Sequence, residues 1–196
     1  QSLVINRFGL NGISIENADG CVIKDCIIGL NPAADTDQGN GGQGISIKDC
    51  SNSIIGGTTA ATRNIISGNA LSGIEIKLTS IATNNSVLNN IIGTNAVNAT
   101  GLGNSQNGVI VDGAQGTIIG GSLAERNIIS GNTLAGIAVL AADGTTIRSN
   151  IIGANSTGTS AVPNGTGISL DSATSSNIGG STVNDGNLIS GNTGAG

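Results

Sequence analysis

Asn127-Ile128-Ile129-Ser130-Gly131-Asn132 decides the fold, because it is one of three copies. Asn64-Ile65-Ile66-Ser67-Gly68-Asn69 precedes it and Asn187-Leu188-Ile189-Ser190-Gly191-Asn192 follows it, at intervals of about 60 residues, a period that belongs to repeat architectures. Further out, Ile118-Ile119-Gly120-Gly121 answers to Ile54-Ile55-Gly56-Gly57 and to Asn177-Ile178-Gly179-Gly180. Ile27-Ile28-Gly29 returns as Ile91-Ile92-Gly93 and as Ile151-Ile152-Gly153. Each long unit splits into halves that open with Gly, an apolar residue, any residue and a second apolar residue, at Gly12, Gly44, Gly73, Gly108, Gly136 and Gly167. Two more short apolar stretches follow within each half. Three short strands per half, parted by Gly- and Asn-rich bends, predict an all-β fold: a right-handed, single-stranded parallel β-helix of about six coils, the last incomplete. Apolar runs this short cannot build an amphipathic helix, and an immunoglobulin-like sandwich would need longer strands and would not repeat its side chains in register.

Composition agrees. Of 196 residues 33 are Gly and 10% are charged; His, Met, Trp and Tyr are absent and Phe8 is the one aromatic residue. The core must be filled by Ile, Leu, Val and Ala, and β-branched side chains pack well on a pleated surface. A net charge of −5 with few Lys and Arg excludes a nucleic-acid footprint, and no apolar run is long enough to span a membrane. Residues 1–196 read as a single domain. The chain opens at Gln1 without Met and stops in mid-coil at Gly196, so it is expected to be a mature product or a piece of a longer repeat array. Open strand edges would let copies associate end to end, and an apolar stripe would let them associate laterally. Cys21, Cys26 and Cys50 are an odd number with no bridging pattern, so their state stays open.

Asparagine recurs in two columns. Asn64, Asn90, Asn127, Asn150 and Asn187 stand just before the third apolar pair, with Cys26 in that place in the first coil. A few residues on, Asn31, Asn69, Asn95, Asn132, Asn155 and Asn192 form the second column. Coils stack about 4.8 Å apart, so amides in one column can bond to the coils above and below and satisfy the bends. These residues are therefore read as a structural ladder and not as ligand contacts. The paired isoleucines pose a problem, since alternation sends one of each pair outward. Unless the bends turn both inward, a stripe through Ile65, Ile91, Ile128 and Ile151 is exposed.

The run Asn127 to Asn132, preceded by Ile118 to Gly121 and by Ala124-Glu125-Arg126, resembles the parallel β-helix repeats of very large bacterial surface proteins, as does Ile92-Gly93-Thr94 through Val109. The resemblance covers nearly the whole chain. It implies an extracellular, cell-surface, adhesin-like structural or interaction module, a stiff non-enzymatic rod, with a cell-surface or polysaccharide partner.

Many β-helix proteins act on polysaccharides, so a lyase- or hydrolase-type enzyme and a carbohydrate-binding module are the alternatives. Against catalysis, there is no His, and Arg63 and Arg126 share one repeat position, which reads as structural. Asp112 and Asp171 both follow the first strand of their coils, but two coils apart, roughly 10 Å at the strand spacing, too far for a retaining pair. No catalytic residue is assigned. The sole metal candidate is Asp35-Thr36-Asp37-Gln38-Gly39-Asn40, where Asp35 and Asp37 stand on alternate residues before a Gly, a pattern that suits Ca²⁺. The matching loops, 95–107 and 155–164, hold no acidic residue, which favours a plain polar loop. No other cofactor is expected. Thr-any-Thr arrays of the ice-binding kind do not recur, and glycosylation sequons occur at Asn84, Asn98, Asn155 and Asn164.

Overall fold

The computed structural model describes residues 3–97 and 102–196, so the sequon at Asn98 lies outside the described residues. They form a parallel β-solenoid with three sheets. Sheet 1 stacks Leu3–Ile5, Cys26–Ile28, Ile65–Ile66, Ile91–Ile92, Ile128–Ile129, Ile151–Ile152 and Leu188–Ile189. Sheet 2 stacks Ile13–Glu16, Ile45–Lys48, Ile74–Lys77, Val109–Asp112, Ala135–Leu140 and Thr166–Asp171. Sheet 3 stacks Val22–Ile23, Ile54–Gly56, Ser86–Leu88, Ile118–Ile119, Thr146–Ile147 and Asn177–Ile178. Each coil contributes one strand to each sheet, which is the architecture the repeat predicted. Helix is confined, among the described residues, to two single 3-10 turns, Ala60–Thr62 and Leu123–Glu125.

Register turns the repeat into a core. In sheet 1, Ile27 pairs with Ile65, Ile65 with Ile91, Ile91 with Ile128 and Ile128 with Ile151, so like lies on like. Ile28, Ile66, Ile92, Ile129 and Ile152 point inward and meet Ile45, Ile74, Val109 and Ile137 of sheet 2 and Ile55, Val87, Ile119 and Ile147 of sheet 3. Each such side chain contributes about 1.5–3 kcal/mol by leaving water. Small residues, Cys50, Ala82, Ala114 and Ala142, fill the corner between sheets 2 and 3.

The outward partners of the paired isoleucines do not form an exposed stripe. In alternate coils the connection from sheet 1 to sheet 2 makes a detour, described at residues 30–39, 94–97 with 102–103, and 154–163, that folds back as a tongue over sheet 1. Antiparallel bridges Leu30 to Asp37 and Ala154 to Ala161 close two of these tongues. Leu30, Ala34 and Leu102 pack on Ile27 and Ile65, while Ile91, Ile128 and Ile151 are buried. The Nδ2 of Asn95 reaches the carbonyl oxygen of Ala34 at 2.9 Å, tying one tongue to the next. Alternation holds, and the long loops supply the second apolar layer that it demands. Leu188, in the last coil, remains 40% exposed.

Candidate functional site

Two amide ladders run the length of the solenoid. In the first, the Nδ2 of Asn64 donates to the Oδ1 of Asn90 at 2.9 Å, Asn90 to Asn127 at 3.2 Å, Asn127 to Asn150 at 2.9 Å and Asn150 to Asn187 at 3.0 Å. It starts at Cys26, whose main-chain N–H donates to the Oδ1 of Asn64. The second ladder is Asn40, Asn69, Asn104, Asn132, Asn164 and Asn192, with Nδ2 to Oδ1 distances of 2.9, 2.9, 2.9, 2.9 and 3.0 Å.

Asn31, Asn95 and Asn155, expected in the second ladder, are not part of it. Each begins a tongue, and the ladder position falls nine residues later, at Asn40, Asn104 and Asn164. The missed residues carried a signal. Counted back from the next opening glycine and not forward from the strand before, Asn40, Asn69, Asn104, Asn132 and Asn164 each stand three or four residues ahead of it. The glycine is the ladder's counterpart. A Cβ at Gly44 would lie 2.8 Å from the Nδ2 of Asn69, and one at Gly73 would lie 2.8 Å from that of Asn104.

Inside the first tongue, the Oδ1 of Asn31 accepts from the main-chain N–H groups of Asp35 and Thr36, and its Nδ2 donates to Asp35 at 2.8 Å. Asn155 does the same for Thr159 and Ser160. Asp35 thus stands where the equivalent tongue has Thr159, and Asp37 accepts from the N–H of Gly39 at 2.8 Å. The hydrogen bonds from Asn31 and Thr36 hold the Asp35 carboxyl below its ordinary pKa. Among the described residues, no group of three or more His, Cys, Asp or Glu gathers at one point. Both carboxylates of the Ca²⁺ candidate organise their own loop.

Cys21, Cys26 and Cys50 are free thiols; burial, with Asp25 adding to it, pushes the Cys26 thiol up. Asn164 is buried in the second ladder, whereas Asn84 is exposed at a bend. Among the described residues no helix is long and apolar enough to cross a membrane.

Sheet 2 has the longest strands, and their outward positions make a broad face. Its first half is polar. Lys48 pairs with Glu16 at 2.6 Å and Lys77 with Asp112 at 2.9 Å, and each carboxylate raises the pKa of its lysine through that hydrogen bond. Glu75 accepts from the hydroxyl of Ser46 at 2.9 Å and the Nε2 of Gln43 at 3.4 Å. Its second half is a shallow depression of about 480 Å³, floored by Ile110 and Ala138, walled by Leu134 and Leu140, and rimmed by Asn107 and Thr166. Leu134 is half exposed there. Asp112 and Asp171 share one column with Leu140 between them, so they do not converge on a substrate atom. The face offers apolar contact with polar groups at the edge.

No family model matches the chain, and no curated protein matches it. Among solved structures, the fold is similar to that of the periplasmic alginate epimerase AlgG, with a TM-score of 0.56 and 15% identity over 89% of this chain and 43% of that one. The A-module of the Azotobacter vinelandii mannuronan C-5 epimerase AlgE4 aligns with 96% of this chain and 56% of its own, at 16% identity and a TM-score of 0.49. This chain therefore spans less than half the length of AlgG. At such identity the likeness to AlgG shows the parallel β-helix fold.

Proposed function

We propose that this chain is the glycan-contacting part of a secreted or periplasmic carbohydrate-active β-helix protein, and that it holds polysaccharide on the outer face of sheet 2. The observation that carries the reading is the depression around Ile110, Ala138 and Leu140, apolar in its floor and edged by Asn107 and Thr166. An apolar cleft with a few convergent polar groups is the ordinary form of a small-ligand site. Sheet 1, by contrast, is covered by the chain's own tongues. The resemblance in fold to AlgG, whose name states action on alginate, supports a polysaccharide over other ligands by analogy of fold alone.

Binding is proposed here in preference to turnover. Glu16 and Asp112 on this face are held in ion pairs, and Glu75 is held by Ser46 and Gln43. The reading as a cell-surface rod rests on the repeat resemblance, to which the depression adds nothing.

The test is a panel of neutral and acidic polysaccharides, read for retention and for release of reducing or unsaturated ends. Retention lost in Ala138→Arg, whose side chain would fill the depression, is the expected result. Absence of retention on every polymer, or undiminished retention by Ala138→Arg, would sink the proposal. Product release abolished by Asp112→Ala would replace binding by catalysis.

A further inference from the structure

We infer that the corner between sheets 3 and 1 carries a second ligand site, where Arg63 and Arg126 together grip carboxylates of a uronate-containing polysaccharide lying along the solenoid axis. The two arginines hold the same place in alternate coils. Each follows a 3-10 turn, Ala60–Thr62 or Leu123–Glu125, and each immediately precedes a residue of the first ladder, Asn64 or Asn127. Ile65 pairs with Ile91 and Ile91 with Ile128, so two coils separate the arginines, ~10 Å at the ordinary strand spacing. An open concavity of about 310 Å³ is lined by both of them, with Asn89 and the Thr58 and Ala60 side of the turn.

Both forks are fixed by the coil that follows. Arg63 donates Nε–H and an Nη2–H to the Oδ1 of Asn89 at 3.1 and 2.7 Å, and Asn89 is itself anchored through Nδ2 to the carbonyl oxygen of Thr59 at 2.7 Å. Arg126 donates Nε–H to the carbonyl oxygen of Ser149 at 2.8 Å. A guanidinium has five N–H groups, so each arginine keeps donors beyond those that hold it. Neither arginine takes part in the ion pairs of Lys48 with Glu16 and Lys77 with Asp112; Asp25, one coil before Arg63 in the same column, lines a neighbouring concavity with it. A rigid planar fork with unused donors matches a carboxylate in geometry and charge.

Spacing and charge density select the ligand. A duplex carries one charge per ~1.7 Å of axis, far denser than two guanidiniums two coils apart can answer, and the chain's net charge of −5 repels it. A coil is ~4.8 Å high, and a twofold extended glycan advances by roughly that height per sugar. Carboxylates on alternate sugars, facing the same side, therefore come into step with Arg63 and Arg126. This site lies on a different part of the solenoid from the sheet 2 depression and stands or falls separately from it.

The experiment is calorimetric titration of the full chain with hexagalacturonate, beside cellohexaose, monomeric galacturonate and inorganic phosphate, in low salt. The expected result is hexagalacturonate binding at least tenfold tighter than either small anion, weakened at least tenfold in the double variant Arg63→Gln/Arg126→Gln and unchanged in Arg7→Gln, a substitution at an exposed arginine outside both proposed sites. On the unmodified protein, hexagalacturonate should slow phenylglyoxal modification of Arg63 and Arg126 but not of exposed Arg7, read by peptide mass, which needs no variant to fold. Undiminished affinity in the double variant, or no protection of the two arginines, overturns the inference. So does phosphate binding as tightly as the hexamer, which would mark a small-anion site. Loss in Ala138→Arg alone would place the uronate on sheet 2 and overturn this site while leaving the proposed function standing.

Discussion

Asn69 donates its Nδ2–H to the Oδ1 of Asn104 across 2.9 Å, joining a coil that turns directly into sheet 2 to one whose ladder position falls nine residues later in the sequence, after Asn95 has opened a tongue. The detour is absorbed before the ladder position, so the amide column runs on without a break. The same Oδ1 accepts from the main-chain N–H of Asn69 at 3.1 Å, so one side chain satisfies two buried donors of its neighbour.

Asn104→Ala should therefore cost more than a single hydrogen bond. It strands the main-chain N–H of Asn69 in a buried bend, where an unsatisfied group costs about 1–3 kcal/mol, and leaves the Nδ2 of Asn69 only the carbonyl oxygens of Ser67 and Ile28. Asn155→Ala removes only bonds inside an exposed tongue and should cost clearly less. Urea unfolding of the two variants checks this; equal loss of stability would mean that the ladder is not the stabilising column.

Leu30→Ala should uncover sheet 1. Leu30 is fully buried against the outward isoleucines Ile27 and Ile65, and a Leu to Ala change at such a site costs about 2–5 kcal/mol. Binding of an apolar dye should rise before global unfolding, because the tongue lifts while the inner core stays closed. A variant with unchanged dye binding and melting would show that the tongue is not a structural layer.

Glycine tolerance should differ sharply between two positions of the same repeat type. Gly93 has φ 86° and a Cβ there would fall on the carbonyl oxygen of Ser130 and the amide of Asn132, so Gly93→Ala should prevent stable stacking. Gly179 has φ 91° with nothing within 4 Å of the added carbon. Gly179→Ala then carries only the left-handed backbone cost, about 1–2 kcal/mol. Circular dichroism melts of both variants decide the matter, and similar melts would contradict the packing.

A third amide column should be buildable. In the column before sheet 3, the Oδ1 of Asn85 accepts from the N–H of Ser53 at 3.0 Å, but the hydroxyls of Ser53, Thr117 and Thr145 are buried without a partner. Thr117→Asn would set an amide beside Asn85 and should raise stability by about 1 kcal/mol. A lowered melting temperature would show that the corner has no room for the larger side chain.

Acid should loosen the bends. Hydrogen bonds from Thr79 hold the Asp49 carboxyl below its ordinary value of 3.8, and Thr174 does the same for Asp143. A depressed carboxylate adds stability that is complete above its unfolded value and disappears as pH falls through its folded value. Lys48 and Lys77, raised by Glu16 and Asp112, act in the opposite sense, and their contribution is lost above 10.5. Both sets are exposed, so stability should be flat between about pH 5 and pH 9 and decline modestly outside that range. Asp49→Asn should flatten the acid limb; an unchanged limb would mean that Asp49 is not responsible for any of it.

Much of this was legible in the residues. The first ladder could be read because Asn64, Asn90, Asn127, Asn150 and Asn187 keep a constant distance from the isoleucine pair that follows them, with no insertion between. The second was half misread, since Asn31, Asn95 and Asn155 sit at the distance from the preceding strand that the ladder has in coils without a tongue. The sheet 2 depression had no signal at all. Asn107, Ile110, Leu134, Ala138 and Thr166 belong to three different coils, and only stacking brings them to one face.

The sequence by itself determined the coil: strand length, the Gly and Asn punctuation and the sixty-residue period follow from local chemistry repeated in place, and parallel stacking at one strand spacing follows from them. Only the tertiary structure decided what becomes of the outward isoleucines and which Asn joins the second ladder. Both depend on where a tongue lands after it leaves the coil, and that is set by contacts between residues up to some sixty positions apart, such as Asn95 with Ala34, which no local pattern encodes.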